Sequence, residues 1–158
     1  SDELTGIANR RVFRGALDRE CARHERRGHG VGVVLLDLDN LKQINDINGH
    51  SMGDAAIITT AHALLSGLRA TDLAARIGGD EFAILLPGTD EADTQQIAER
   101  LRSTIESQVI AAKPLRVSVG YAALESGTSD AATLILKADA KLYANKRARK
   151  HAAAIAAA

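Results

Sequence analysis

Apolar and polar positions along the chain follow periods that predict a mixture of helices and strands. In residues 9–27 the apolar side chains recur every three or four positions with arginines on the other face, which predicts an amphipathic helix. Residues 31–39 are almost continuously apolar before they turn acidic, as in a buried strand that ends at a functional site. Two further helices are predicted at about 40–47 and 51–68, separated by the turn Asn48-Gly49.

The second half of the chain begins with a predicted hairpin. Residues 72–77 and 82–86 predict two short strands, and the segment Gly78-Gly79-Asp80-Glu81 between them has the length and composition of a tight turn. Pro87-Gly88 ends the second strand. A helix from Thr89 or Asp90 to about residue 109, a strand over 116–123 and a last helix from Ser129 or Asp130 complete the pattern.

The order of these elements predicts the fold class. Helix, strand, helices, hairpin, helix, strand, helix favours an α+β fold on a βαββαβ, ferredoxin-like core, with a central, mostly antiparallel sheet flanked by helices. We expect one domain over residues 1–150 and assign no function to the alanine-rich tail 151–158. The first predicted helix begins close to residue 1, so we expect the chain to be a piece of a longer protein.

Composition narrows the function classes. Twenty basic residues balance twenty acidic ones, so no global field draws the chain to a nucleic acid polymer or a membrane. Cys21 is the single cysteine, which excludes an internal disulfide framework and suits a reducing cytosol. No apolar run approaches the roughly 20 residues that a bilayer span needs. We expect a cytoplasmic domain, although a segment upstream could carry a membrane anchor.

Three carboxylates are predicted to meet at one edge of the sheet. Asp37 ends a buried strand, and Asp80 and Glu81 lie at the hairpin tip, so they converge if these two elements are neighbours. Such oxygen clusters suit Mg²⁺, which takes one or two carboxylates together with water and substrate phosphate. The alternative is that the acidic groups at strand ends are merely solvated.

Two other features allow more than one interpretation. Gly78 and Gly79 supply turn chemistry with positive φ, or they let a substrate approach backbone that a Cβ would block. The helix start after Asp39 offers N–H groups to phosphate, with Lys42 one turn inside, but a single lysine at such a place is usually solvated.

Several blocks of sequence together carry a family resemblance. Arg76 and the run Gly78-Gly79-Asp80-Glu81-Phe82 spell the signature of the GGDEF domains, and further blocks resemble that family in order along residues 2 to about 150. The resemblance implies the nucleotidyl cyclase-like variant of the predicted fold. The further blocks are Asp2–Arg11 (similar to DxLTGLxNRR), Asp37–Asp46 with Gly49–Asp54 (similar to DxDxFKxxND and GHxxGD), Val117–Gly120 and Ala138–Tyr143.

The resemblance implies an activity and a metal site. GGDEF domains are diguanylate cyclases, which condense two GTP molecules into cyclic di-GMP and release two pyrophosphates. Asp37 and Asp80 would bind Mg²⁺ or Mn²⁺ with the Leu38 carbonyl. Glu81 would be a further metal ligand or would help to deprotonate the attacking 3′-hydroxyl. Asp80, Glu81 and Lys42 are therefore the catalytic residues that the resemblance implies.

The resemblance also implies how GTP is bound. Asn45 and Asp54 would recognise the guanine edge, since a carboxylate accepts from both N1–H and N2–H₂. Lys42 and Lys146 would hold the phosphates. Each domain binds one GTP, so a homodimer must form for catalysis. The full set of implied GTP-binding residues is Asp39, Asn40, Leu41, Lys42, Asn45, Asp54, Gly78, Gly79, Lys146 and Lys150.

Two departures from the family pattern bear on this site. Leu41 replaces the usual aromatic residue, which we interpret as a packing change. The closing segment usually reads AKxxGRN, but here residues 145–150 are Asn-Lys-Arg-Ala-Arg-Lys. Lys150 therefore stands where an arginine often contacts phosphate, which keeps the charge and loses the bidentate geometry.

A second site is implied just before the hairpin. Arg69 and Asp72 match the family's inhibitory RxxD motif, to which cyclic di-GMP, the product, binds. An arginine forks onto phosphate or the guanine Hoogsteen edge, and Asp accepts from guanine N1 and N2. Arg100 would add a contact from a neighbouring chain. On its own the pattern is also typical of a helix end meeting a strand.

The sequence thus predicts a GGDEF diguanylate cyclase with product inhibition, with an upstream sensory or regulatory domain as its partner. The alternative is a domain without catalysis that serves as a receptor for cyclic di-GMP or GTP. The intact set Asp37, Asp80, Glu81, Asn45 and Asp54 argues against that alternative. A cyclase making mixed guanine and adenine products is disfavoured by Asp54.

Overall fold

Five helices and seven strands make up the fold in a computed structural model that describes residues 1–124 and 130–158. The helices are α1 (Arg10–Arg27), α2 (Leu41–Asn48), α3 (His50–Ser66), α4 (Glu91–Glu106) and α5 (Ala131–Ala157). The strands are β1 (Ala8–Asn9), β2 (Val31–Leu38), β3 (Leu73–Arg76), β4 (Glu81–Pro87), β5 (Val109–Ile110), β6 (Lys113–Pro114) and β7 (Val117–Ala123).

The central sheet has five strands in the order β1-β3-β4-β2-β7. Its pairings are antiparallel except for the parallel pairing of the short β1 with β3. Strand β2 lies between β4 and β7, so it is hydrogen-bonded on both edges. This arrangement confirms the predicted α+β class and the mostly antiparallel sheet flanked by helices.

Each face of the sheet is covered by its own hydrophobic core. Alternate residues of β2 point to opposite faces, with Leu36 packed on the side of α2, α3 and α4 and Val33 on the side of α1 and α5. Because both faces of β2 are buried, its sequence is continuously apolar instead of alternating. Cys21 of α1 is buried in the second core, and burial raises the pKa of its thiol to about 11.

The helix caps follow the sequence prediction where it can be compared. The side chain of Asp90 accepts from the Asp93 N–H at the start of α4, and that of Asp130 accepts from the Ala132 N–H at the start of α5. Ser129, the other cap predicted for α5, lies outside the described residues. Helix α5 continues to Ala157, so most of the alanine-rich tail extends this helix.

The segment between α4 and β7 differs from the prediction. Helix α4 ends at Glu106 and not near residue 109, and a small hairpin of β5 and β6 follows. Its turn residues Ala111 and Ala112 have φ of 51° and 64°, a left-handed conformation that alanine rarely adopts. No sequence rule assigns such a turn to an Ala-Ala pair, which is why the hairpin was missed.

No helix within residues 1–124 and 130–158 combines the length and the apolar character that crossing a membrane requires.

Candidate active site

Three carboxylates converge where β2 meets the hairpin of β3 and β4. Asp37 is paired directly with Glu81 across β2 and β4, and Asp80 is the last residue of the hairpin tip. Their oxygens approach so that one atom from each lies within 4.8 Å of the others. The Leu38 N–H donates to the Asp80 carbonyl at 2.9 Å, which fixes the tip against the end of β2. The predicted meeting of the two acidic elements is therefore present.

The cluster carries more negative charge than its neighbours compensate. Burial raises the pKa of Asp37 to about 6, and the charge of Asp80 adds to that rise. Lys146 of α5 opposes it by donating from Nζ to Asp37 Oδ2 at 2.7 Å, and in return Asp37 raises the pKa of Lys146. Asp37 Oδ1 is buried and has no hydrogen-bond partner among the described residues.

These properties fit a divalent cation. A hard cation such as Mg²⁺ or Mn²⁺ binds carboxylate oxygens and neutralises the repulsion between them. Asp37, Asp80 and Glu81 supply such oxygens, and the unpartnered Oδ1 of Asp37 is a buried acceptor within the group. The Leu38 carbonyl belongs to the residue next to Asp37 at the end of β2.

The glycines of the hairpin do not have the positive φ that turn chemistry would call for. Neither Gly78 nor Gly79 is among the glycines with positive φ. A Cβ on Gly78 would lie 2.9 Å from Glu81 Oε2, whereas a Cβ on Gly79 would meet no atom within 4 Å. Gly78 thus gives space to the Glu81 carboxylate. Gly79 leaves an open backbone surface beside the acidic cluster, which suits the second interpretation, approach of a substrate.

The hairpin tip is tied to the start of the chain through Arg76. Its guanidinium donates to the Gly79 carbonyl through Nε and Nη2, at 3.3 and 2.9 Å, and to Asp2 through Nη1 at 3.2 Å. Asp2 also accepts from the N–H and hydroxyl of Thr5. Although burial opposes it, these hydrogen bonds and the arginine's charge lower the pKa of Asp2. The link between Asp2 and Arg76 was not foreseen in the sequence.

The turn from β2 into α2 contains the residues expected to meet phosphate. Asp39 Oδ1 accepts from the Ser118 hydroxyl at 2.6 Å, and the Asp39 N–H donates to the Arg116 carbonyl at 2.8 Å. Asn40 precedes the helix without capping it, because its side chain contacts the backbone of residues 114 and 116. The first N–H groups of α2 are therefore not taken by an Asn40 cap.

The two residues expected to recognise guanine lie on adjacent helices. Asn45 of α2 packs directly on Gly53 of α3, where a Cβ would collide with Asn45 Oδ1. That oxygen is buried and has no hydrogen-bond partner in the part of the chain that the structure describes. Asp54 follows Gly53 and is exposed. The exposed carboxylate of Asp54 therefore lies one residue from the glycine on which Asn45 packs.

The predicted cations differ in their surroundings. Lys146 is held at Asp37, while Lys42 and Lys150 are exposed, and no ion pair of either is found in residues 1–124 and 130–158. Arg149, which the sequence analysis did not single out, contacts both Asp39 and Glu106. Its spacing of three from Lys146 places both on one face of a helix, and that spacing was the available signal.

Arg69 and Asp72 lie at the opposite end of β3 from the acidic cluster. They precede β3 in the loop from α3, and so are not on the strand itself. Arg69 Nη2 donates to Asp72 Oδ1 at 3.2 Å, to the Pro87 carbonyl at 3.3 Å and to the Thr89 hydroxyl at 3.4 Å. Arg100 of α4 donates to the Gly67 carbonyl at 2.7 Å, so it approaches the same loop within one chain.

Comparison with known proteins gives a consistent result. The family model for the diguanylate cyclase GGDEF domain matches residues 1–152. The response regulator PleD of Caulobacter vibrioides is 35% identical over 96% of this chain, and the diguanylate cyclase DosC of Escherichia coli K12 is 38% identical over 92%. The solved GGDEF domain of DgcB from Caulobacter crescentus, in complex with c-di-GMP, is 33% identical with a TM-score of 0.88, over 94% of this chain and 90% of that one.

The match to the curated relatives is confined to part of their length. The chain covers 35% of PleD and 33% of DosC, so it spans about a third of each.

Proposed function

Because the chain belongs to the GGDEF diguanylate cyclase domain family, we propose that it condenses two molecules of GTP into cyclic di-GMP and releases two pyrophosphates. The observation that carries this proposal is the convergence of Asp37, Asp80 and Glu81 within 4.8 Å at one edge of the sheet. The presence of all three carboxylates supports catalysis over the alternative of a receptor without catalysis.

The acidic cluster is proposed to bind Mg²⁺ or Mn²⁺ through Asp37, Asp80, Glu81 and the Leu38 carbonyl. When bound, the metal neutralises phosphate charge and lowers the pKa of the attacking hydroxyl. Gly79 leaves the hairpin backbone open for the substrate to approach beside these groups. Glu81 is close enough to Asp37 and Asp80 to serve as a ligand or to accept the proton of the 3′-hydroxyl.

The guanine base is proposed to bind between α2 and α3. Asp54 accepts from guanine N1–H and N2–H₂, and Asn45 supplies the amide next to it. Adenine has no matching pair of donors and would leave the carboxylate unpaired, so GTP is preferred to ATP. The exposed carboxylate of Asp54, next to the glycine on which Asn45 packs, supports this proposal, since it is open to the donors of a ligand.

The triphosphate is proposed to lie over the turn that begins α2. The N–H groups of Asn40, Leu41 and Lys42 would face an anion there, because no side chain caps this helix. The Asp39 N–H, which the family resemblance adds to this set, is instead bonded to the Arg116 carbonyl. The side chain of Lys42 adds a positive charge. Lys146 adds a second charge after exchanging its contact with Asp37 for phosphate, and Lys150 belongs to the same proposed set.

Two domains must meet for the reaction to occur. The 3′-oxygen of one GTP attacks the α-phosphorus of the other and loses its proton, and the bond from that phosphorus to the β-phosphate oxygen breaks. Two such steps form cyclic di-GMP and release two pyrophosphates. Catalysis here consists of positioning and charge stabilisation, and neither needs a covalent intermediate.

A separate site for the product is proposed at Arg69 and Asp72, with Arg100 as a further contact. In this structure Arg69 already binds Asp72, Pro87 and Thr89 in one place, so its guanidinium is oriented without the ligand. The solved GGDEF domain of DgcB is in complex with c-di-GMP, which supports binding of this product by a related fold. Sensory or regulatory segments outside this chain are proposed as the partners that control it.

Product analysis tests the proposed reaction. The chain is incubated with GTP and Mg²⁺ at protein concentrations that favour dimers, and nucleotides are separated by chromatography, with Asp80→Ala as the inactive control. The expected product is cyclic di-GMP, and the specific activity should rise with protein concentration. Nucleotide binding without turnover would instead identify the receptor alternative, and products containing adenine from a GTP and ATP mixture would contradict the role of Asp54.

A further inference from the structure

Two cations of α5 contact two carboxylates at the end of β2. Lys146 and Arg149 are three residues apart on one face of the helix. They bind Asp37 of β2 and Asp39 of the turn that follows it. Arg149 Nε lies 3.1 Å from Asp39 Oδ2, and its Nη2 donates to Glu106 of α4. One guanidinium therefore joins α5, α4 and the turn that follows β2.

The contact with Arg149 completes the fixation of Asp39. Ser118, which is fully buried in β7, donates to the other carboxylate oxygen, and the Asp39 N–H is bonded to Arg116. Both oxygens and the backbone of Asp39 are thus held from three directions. The side chains of Arg149 and Asp39 are 20% and 21% exposed, so their ion pair is partly shielded from water.

The position of Asp39 decides the position of the turn into α2. Asn40, Leu41 and Lys42 follow it directly, and Asn40 is anchored to residues 114 and 116 without capping the helix. If Asp39 moved, the uncapped N–H groups of this turn would change their direction. The negative charge of Asp39, if it were uncompensated, would also repel an anion at the same turn.

We propose that Arg149 is a positioning residue for the phosphate end of the GTP site, acting through Asp39. This inference rests on the proposed binding of GTP at this site and adds a residue to it. Arg149 neutralises Asp39 and holds the turn in the orientation that receives the triphosphate. It has no role in recognition of the guanine base, which lies between α2 and α3.

The chemistry of the side chain explains why arginine is needed. The planar guanidinium presents donors in a fixed fork, so it contacts Asp39 through Nε and Glu106 through Nη2 at the same time. A lysine ammonium keeps the charge but cannot hold both carboxylates in this geometry. Lys150, the next residue, is exposed and forms no ion pair in the described ranges, so it does not share this function.

Measured affinities for nucleotides distinguish this proposal from a general structural role of Arg149. Affinities are measured with Mg²⁺ for two ligands, an α,β-methylene analogue of GTP that does not turn over, and GMP, which lacks the outer phosphates. The variants are Arg149→Gln, Arg149→Lys and Lys150→Gln. The matched control is Arg147→Gln, an exposed arginine of the same helix near the Tyr143 ring. Thermal unfolding of each variant is recorded in parallel.

Arg149→Gln should lower affinity for the triphosphate analogue about tenfold or more and leave GMP affinity within about twofold. Arg149→Lys should recover part of the loss, Arg147→Gln should resemble wild type, and the KM for GTP should rise more than kcat falls. An equal loss for both ligands, or a loss confined to Lys150→Gln, would overturn the proposal. If wild type binds neither ligand, the proposed function fails. If it binds both and Arg149→Gln changes neither affinity, only this inference fails.

Discussion

The two ends of the hairpin formed by β3 and β4 differ in how their charged side chains are paired. At the tip, Asp80 and Glu81 crowd against Asp37, whose buried Oδ1 lacks a partner in the described chain. At the base, the buried Asp72 carboxylate is fully paired with the Arg69 side chain and backbone N–H. A balanced pair stabilises a loop, whereas an unbalanced cluster gains its stabilisation from a ligand. This contrast supports the proposals that the hairpin tip binds a metal ion and that the opposite end keeps an arginine in a defined place.

The largest effect is expected from substitutions at the hairpin tip, which leave Arg69 and Asp72 at the other end unchanged. Asp80→Ala or Glu81→Ala should reduce formation of cyclic di-GMP by more than about 100-fold, since each carboxylate supplies on the order of 3 kcal/mol of metal and transition-state stabilisation. Initial rates of product formation measure the loss. Circular dichroism should show an unchanged fold, because Asp80 is only half-buried and Glu81 is exposed, and neither belongs to a hydrophobic core. Glu25→Ala, an exposed carboxylate of α1, is the control, and near wild-type turnover at Asp80→Ala or Glu81→Ala would remove these residues from the mechanism.

The next largest effect is expected from a substitution at the opposite end of the hairpin, which leaves the acidic cluster unchanged. Arg69→Ala removes a charge-assisted contact worth roughly 1.5 to 3 kcal/mol, so affinity for cyclic di-GMP should fall about 10- to 150-fold while GTP turnover continues. Calorimetric titration of the product into both proteins measures the change. Arg11→Ala, an exposed arginine of α1, should bind as wild type does. Equal affinities for wild type and Arg69→Ala would mean that this pair only joins a helix end to a strand.

A third substitution separates base recognition from charge at the tip. Asp54→Ser removes the charged acceptor for guanine, a contact worth on the order of 1 to 3 kcal/mol, so the preference for GTP over ATP should fall about 5- to 150-fold. Competition between the two nucleotides measures the ratio. The acidic cluster is untouched, so the metal dependence of turnover should persist. An unchanged ratio would exclude Asp54 as the residue that recognises guanine.

The smallest expected effect concerns the free energy of unfolding, which the excess negative charge at the hairpin tip should lower. Burial raises the pKa of Asp37 to about 6 in the folded protein. Between the ordinary carboxylate pKa and pH 6, the folded protein therefore binds this proton more tightly than the unfolded chain does. The free energy of unfolding decreases as the pH rises through that range. Asp37→Asn should therefore raise the free energy of unfolding by about 1 to 2 kcal/mol at pH 8. The gain should shrink toward pH 4. Urea unfolding in EDTA measures it.

The matched control for that measurement is Asp46→Asn, an exposed carboxylate of α2. It should produce no comparable gain at any pH. Equal pH dependence of wild type and Asp37→Asn would show that the cluster at the tip is already balanced, and the contrast between the two ends of the hairpin would disappear.

The sequence allowed prediction of those parts that depend on local pattern. The apolar run of β2 and the tight hairpin each have a local signal, so the sequence predicted that Asp37, Asp80 and Glu81 would converge if the two elements were neighbours. The pairing of β2 with β4, which fulfils that condition, is known only from the structure. The same pattern indicated the caps Asp90 and Asp130. The family resemblance, which spans nearly the whole chain, gave the roles proposed for Asn45, Asp54 and Arg69.

The parts that sequence could not supply depend on distant contacts or on unusual backbone. Strand β1 has only two residues, too few for a periodic signal, and exists because β3 lies beside it. The β5 and β6 hairpin depends on Ala111 and Ala112 in left-handed conformation, against the preference of alanine. The partners of Arg149 are distant in sequence, since Asp39 follows β2 and Glu106 ends α4, and only the tertiary fold brings them near it.

The ion pairs of α5 join residues that are synthesised at different times. Lys146 and Asp37 are separated by 109 positions, and Arg149 and Asp39 by 110. At ordinary rates of translation this separation amounts to about 5 to 20 s. A nascent chain that has already released β2 from the ribosome consequently lacks both cations during that interval. Its acidic edge stays without its protein counterions until α5 emerges and docks, so the end of the domain proposed to bind phosphate is completed only after α5 has been synthesised.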